Sequence, residues 1–154
     1  MKQRAFQAFA ATGLAMALMG CATKPDTWVE LKGQRYSVEI ADSEAERNQG
    51  LMFREEMAKD RGMFFVHPQE ALQAYWMKNT RIPLDILYFA PDLTLVSASL
   101  NTPPCSAGDA CPPYPSSGPA QFVLELNAGE AQRLGVVNGD KLTVSPSISL
   151  QTKE

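Results

Sequence analysis

The chain has 154 residues with 14 basic and 17 acidic side chains, a net charge of −3, 45% hydrophobic residues and three cysteines. That is one domain's length with enough apolar content for a core. The acidic balance weighs against a nucleic-acid partner, which needs a basic face.

Met1-Lys2-Gln3-Arg4 is a short basic leader, and Ala5 to Met19 is apolar and free of charge. The run is short for a membrane span and fits the apolar core of a secretory signal. It ends in Leu18-Met19-Gly20-Cys21, which resembles the bacterial lipoprotein cleavage box. The plainer alternative is an ordinary secretory signal with an incidental Cys. Cleavage before Cys21 would leave 134 of the 154 residues and take the basic count from 14 to 12 against 17 acidic, a net charge of −5. Acyl chains on Cys21 would hold a soluble domain at a membrane. Residues 1–20 are thus expected to be a signal peptide and 21–27 a tether. The expected place is the cell envelope, lipid-anchored and facing the periplasm. Ala22, not Asp, follows the Cys, so the outer membrane is expected where the host has two.

A single β domain is expected over 28–144. Trp28 to Leu31 and Gln34 to Ile40 read as a hairpin around Lys32-Gly33. Ser43-Glu44-Ala45-Glu46 is a capping box that opens a short helix, and Gly50 ends it. Leu51-Met52-Phe53 follows as an apolar plug, beside which Arg54 is expected to reach inward to Asp85 or Glu125. His67, the one histidine, precedes Pro68 in a presumed loop and reads as a packing or surface residue.

Gly62 to Phe89 is the densest chemistry in the chain. Gly62–Val66, Ala74–Met77 and Pro83–Phe89 are apolar runs of strand length, and Lys78-Asn79-Thr80-Arg81 is a polar turn between the last two. Period-two geometry puts Leu84, Ile86 and Tyr88 on one face and Asp85, Leu87 and Phe89 on the other. An ionised Asp85 on an apolar face needs partners. The plain reading makes Asp85 a tie between turn and strand, with Trp76 filling the core. The sharper reading is a ligand-binding site in which Trp76 meets Lys78, Asn79 and Asp85.

Leu93 to Leu100 reads as a strand folding back on Pro83–Phe89. Asn101 to Pro119 carries six prolines and two glycines, a density that argues against regular structure. Cys105 and Cys111 bracket five residues of this loop. In a secreted chain the pair reads as a disulfide, with a redox pair or metal clip as the alternatives. Gln121 to Leu126 is a strand with Glu125 on the face of Val123, and Asn127 is placed to cap a helix over Ala128–Leu134. An Asn138-Gly139 turn leads to a last strand ending at Val144, and 145–154 reads as a flexible tail. No phosphate loop, nucleophile elbow or metal-helix motif occurs, so neither cofactor nor metal is expected.

WMKNTRIPLDILYF, with GLMFRE before it and FVLELNAGEAQRLGVVNGDKL after it, resembles the domain of unknown function 192 family across roughly residues 28–144. The resemblance implies a compact, mostly antiparallel β domain and no established activity. The expected architecture is an antiparallel β-sandwich or half-closed barrel with two short helices. Two functional classes follow. One is a non-catalytic envelope module that binds a small molecule, a glycan or an envelope protein. The other is a hydrolase-type enzyme with Asp85 and Glu125 as paired carboxylates and Lys78 as electrostatic stabiliser.

Overall fold

A computed structural model describes residues 27–152; residues 1–26, with the expected leader and cleavage box, Cys21 and most of the expected tether, lie outside them. Strand β1 (Trp28–Leu31) turns into β2 (Gln34–Ala41) in the expected hairpin. Lys32 and Gly33 take φ values of 55° and 79°, the left-handed geometry of a two-residue turn between twisted strands. Helix α1 (Glu44–Gln49) opens on the predicted box, with Ser43 accepting from the Glu46 amide and the Glu46 carboxylate accepting from the Ser43 amide.

Strand β3 (Arg61–Ala71) then runs parallel to β2, with Ile40 opposite Phe64. A parallel pair needs a long crossover, and α1 with the segment after it supplies one. The short β4 (Ala74–Trp76) leaves the main sheet, and β5 (Leu84–Phe89) and β6 (Leu95–Thr102) form an antiparallel hairpin. Strand β7 (Pro113–Pro115) pairs with β4, β8 (Ala120–Asn127) inserts between β5 and β3, and helix α2 (Glu130–Leu134) leads to β9 (Leu142–Val144). The order across the main sheet is β6-β5-β8-β3-β2-β1-β9. The sheet curls until its two outer strands approach: Thr94 bridges Lys141, and the Leu95 amide donates to the Asp140 carbonyl at 2.8 Å. The result is mainly β, a half-closed barrel with two short helices and one parallel pair in an otherwise antiparallel sheet. Among the described residues no helix is long and apolar enough to cross a membrane.

Strand alternation sorts the core into two clusters. Leu87, Phe89, Leu124, Leu126, Phe64 and Tyr36 pack on one face; Leu84, Ile86, Tyr88, Val123, Phe65 and Met77 pack on the other. All six residues of β5 are buried, because a central strand is covered on both sides. Burying each of these large side chains contributes about 1.5–3 kcal/mol. Gly62 lets β8 lie close against β3: a methyl group there would sit 2.8 Å from the Glu125 carbonyl oxygen.

Four expectations change. Residues 101–119 are not irregular throughout, because β6 runs on to Thr102 and β7 forms. Asn127 does not cap α2: it ends β8, and its side-chain amide donates to the carbonyls of Met57 and Ala58. Within the stretch expected to be a flexible tail, Ile148 is buried in the first cluster. Arg54 pairs with Glu39 at the surface and reaches neither Asp85 nor Glu125.

Candidate functional site

Asp85 is fully buried. One carboxylate oxygen accepts the Asn101 amide at 2.8 Å, and the other accepts the Ala131 amide at 2.9 Å. The first contact holds a residue of positive φ in β6, and the second holds the first turn of α2, which has no side-chain cap of its own. Asp85 shares its face with Leu87 and Phe89, whereas Met77, next to Trp76 and Lys78, packs in the cluster on the opposite face. The structure therefore does not bring Asp85 together with Trp76 and Lys78.

Nor does it pair the two carboxylates. Ile86 lies opposite Glu125 and Asp85 opposite Leu126, so the Asp85 and Glu125 side chains leave the sheet on opposite faces. The paired-carboxylate geometry of the hydrolase reading is absent for this reason.

Trp76 and Lys78 do meet. Trp76 is 44% exposed, and Lys78 Nζ lies 4.8 Å from the centre of its ring. Lys78 Nζ also donates to Asp109 Oδ1 at 2.5 Å. That hydrogen bond holds the Asp109 carboxyl below its ordinary value. Asp109 sits in a 3-10 turn, Gly108–Ala110, inside the small ring closed by the Cys105–Cys111 disulfide. The ring thus presents the carboxylate that steadies Lys78 over Trp76.

Asn79 stands apart. Its φ is 56°, its amide donates to the Cys105 carbonyl at 2.9 Å, and its carbonyl accepts from the Phe53 amide at 2.8 Å. It lines an open hollow of about 370 Å³ with Phe53, Arg81 and Pro104.

A confined polar feature lies between α1 and β4. A groove of about 350 Å³, walled by Arg47, Asn48, His67, Gln73, Tyr75 and Trp76, adjoins a slot of about 30 Å³ that shares Arg47, Asn48, Tyr75 and Trp76 with it. Lys78 and Thr80 flank the slot and Glu125 lines it. Glu125 is 4% exposed, and its carboxyl group forms no hydrogen bond to the described residues, its oxygens opening on the slot. Burial pushes its pKa up to about 8. Around it, the Tyr75 hydroxyl meets His67 Nε2 at 2.9 Å, and the Tyr88 hydroxyl donates to the Tyr114 carbonyl at 2.5 Å. Burial, then the Glu125 charge, raises both tyrosines. Burial, then the Arg47 charge, pushes His67 down to about 4. Arg47 itself is fixed by donating Nη1 to the carbonyls of Asp42 and Val66 at 2.9 and 3.0 Å. The groove thus offers an exposed aromatic face, side-chain amides and, in the adjoining slot, a carboxyl group that can both donate and accept.

Sequence reading did not place Tyr75, His67 or Arg47 here. His67 looked like a loop residue because Pro68 follows it, yet β3 runs through both to Ala71. Alternation along Ala74-Tyr75-Trp76 was the available signal: it turns Tyr75 toward the core and Trp76 outward.

The sequence model of the domain of unknown function 192 family (DUF192, “uncharacterized ACR”) matches residues 27–144. A crystal structure of a protein of unknown function from Novosphingobium aromaticivorans DSM 12444 is 36% identical and superposes with a TM-score of 0.68, covering 76% of this chain and 81% of that one. A “putative transcription regulator” from Sinorhizobium meliloti 1021 is 40% identical, with a TM-score of 0.70, covering 77% of this chain and 92% of that one. No curated protein matches. The chain belongs to the DUF192 family.

Proposed function

We propose that this protein is a lipid-anchored component of the cell envelope whose β domain binds a small ligand in the groove between α1 and β4, without catalysis. One observation carries the reading: the carboxyl group of the buried Glu125, with no hydrogen bond to the protein, lines a slot beside a groove that has a half-exposed Trp76 at its rim. Buried polar groups are nearly always partnered, and those that are not often mark a place where another molecule completes them. A concave site with a few convergent polar groups is the usual form of a small-molecule site. The sequence-based ligand set is narrowed accordingly. Trp76 and Lys78 belong to this site, Asn79 borders the neighbouring hollow, and Asp85 serves the fold. A paired-carboxylate hydrolase has no support in the register of β5 and β8.

Thermal melting of the detergent-purified protein, with and without a low-molecular-weight envelope extract, tests the binding reading. A rise in Tm for the wild type that Trp76→Ala abolishes is expected. No rise, or an equal rise in both proteins, would overturn it.

A further inference from the structure

We propose that the groove takes a neutral hydroxylated ligand, a saccharide, which lies on the Trp76 face and inserts one hydroxyl group into the slot against Glu125. The inference rests on the ligand-binding reading above and names the class of ligand.

Shape limits the tip of the ligand first. A slot of about 30 Å³ holds one small polar group and no ring. The wider groove of about 350 Å³ falls within the range of small-ligand sites and accepts the body of the molecule. At the rim, Trp76 is 44% exposed, with Lys78 Nζ 4.8 Å from its ring centre, and the ligand takes the indole surface that Lys78 leaves open. The C–H face of a sugar ring suits the negative face of an indole, and its hydroxyls suit the side-chain amide of Asn48 and the Oε1 of Gln73, whose Nε2 donates to the Ala120 carbonyl at 3.1 Å.

Charge then removes the alternatives. An ammonium tip would have to pass Arg47 and Lys78, both cations on the walls. An anionic tip would meet a carboxyl group, with Lys78 already ion-paired and Arg47 held in place through its Nη1. Lys78 is paired with Asp109, and Arg47 donates to two backbone carbonyls. A hydroxyl both donates and accepts, as does a protonated carboxyl, so each satisfies the other.

Protonation gives the pairing a signature. Glu125 has a value of about 8, so it donates below that pH and can only accept above it. The groups that face it are Tyr75 from β4, Tyr88 from β5, Arg47 from α1 and Lys78, with His67 behind Tyr75. The tyrosines titrate well above about 8 and His67 at about 4, so Glu125 is the group among the tyrosines and the histidine that changes charge across this window.

Tryptophan fluorescence titration of the detergent-purified protein tests the proposal with chitotriose, cellotriose and maltotriose as neutral probes, putrescine as cation and succinate as anion. At least one trisaccharide is expected to saturate at pH near 6, and putrescine and succinate to bind more weakly. At about pH 9 the affinity is expected to fall about tenfold, following the protonated fraction of Glu125. Glu125→Gln, which keeps a donor and an acceptor but cannot ionise, is expected to hold its affinity at both pH values. The proposal is overturned if no trisaccharide binds, if putrescine or succinate binds more tightly than all three, or if Glu125→Gln loses affinity with pH as the wild type does. A Tm rise with envelope extract that depends on Trp76, with no trisaccharide bound, overturns the saccharide and leaves the groove as a site. Loss of both signals overturns both.

Discussion

The two oxygens of Asp85 accept from the backbone of two different elements, so the residue acts as a fastener between β5, β6 and α2. In Asp85→Asn the new NH₂ group would face a backbone donor, leaving one amide unsatisfied. The expected cost is roughly 1–3 kcal/mol, read as a lower midpoint in denaturant. Lys78→Ala should add independently to it, within about 0.5 kcal/mol, because the two side chains lie on opposite faces and share no partner; strong coupling in a double-mutant cycle would contradict that. Glu125 links the stability of the fold to pH. Its folded pKa of about 8 stands above the ordinary carboxyl value of 4.5, so the folded chain holds a proton that the unfolded chain gives up. Its contribution is fully present below about 4.5 and is lost as pH rises through about 8. Glu125→Gln should therefore gain on the wild type by roughly 2–4 kcal/mol between about pH 5 and pH 9, measured as the pH course of unfolding stability. The apolar face around Asp85 was legible from alternation alone. Its partners were not, because they are main-chain amides 16 and 46 residues away, and nothing in the side chains announces them.

At the scale of elements, the ring closed by Cys105 and Cys111 does more than shorten a loop. The Cys105 carbonyl accepts the Asn79 amide, and Asp109 within the ring holds Lys78. Replacing both cysteines with Ser should cost about 2 kcal/mol, the small chain-entropy effect of a short ring. The loss should be local: hydrogen exchange should quicken at Asn79 and in β4 and β7 while β5 and β8 stay protected. Uniform acceleration across the sheet would contradict that division. The β1–β2 hairpin, the capping box of α1 and the β5–β6 hairpin were legible because turn chemistry and alternation are local. Strand β7 was hidden because Pro113 and Pro115 read as breakers, although a short edge pairing tolerates prolines. The parallel placement of β2 and β3 could not be read either, since a crossover leaves no mark on the alternation of the strands it joins.

For the molecule as a whole, the leader and the domain make separable claims. Cys21→Ser should leave the melting curve of the domain unchanged and move the protein out of the membrane fraction, as fractionation followed by immunoblotting would show. Unchanged partition would remove the lipid anchor from the proposal and leave the groove as it is. The half-closed barrel was legible as a class from the many short strands and from the family resemblance, whereas the groove emerged only once β4 and α1 were seen side by side. The ends of the domain also meet. The Trp28 amide donates to Ser145 Oγ at 3.2 Å, the Ser145 amide donates to the Trp28 carbonyl at 2.9 Å, and β1 lies antiparallel to β9. The fold therefore suits circular permutation. A linker from the end of the described chain to Thr27, with new termini opened at Lys32-Gly33, would turn β9 and β1 into consecutive strands of the same register. The point where any tether joins could then be moved to the start of β2 with the groove intact.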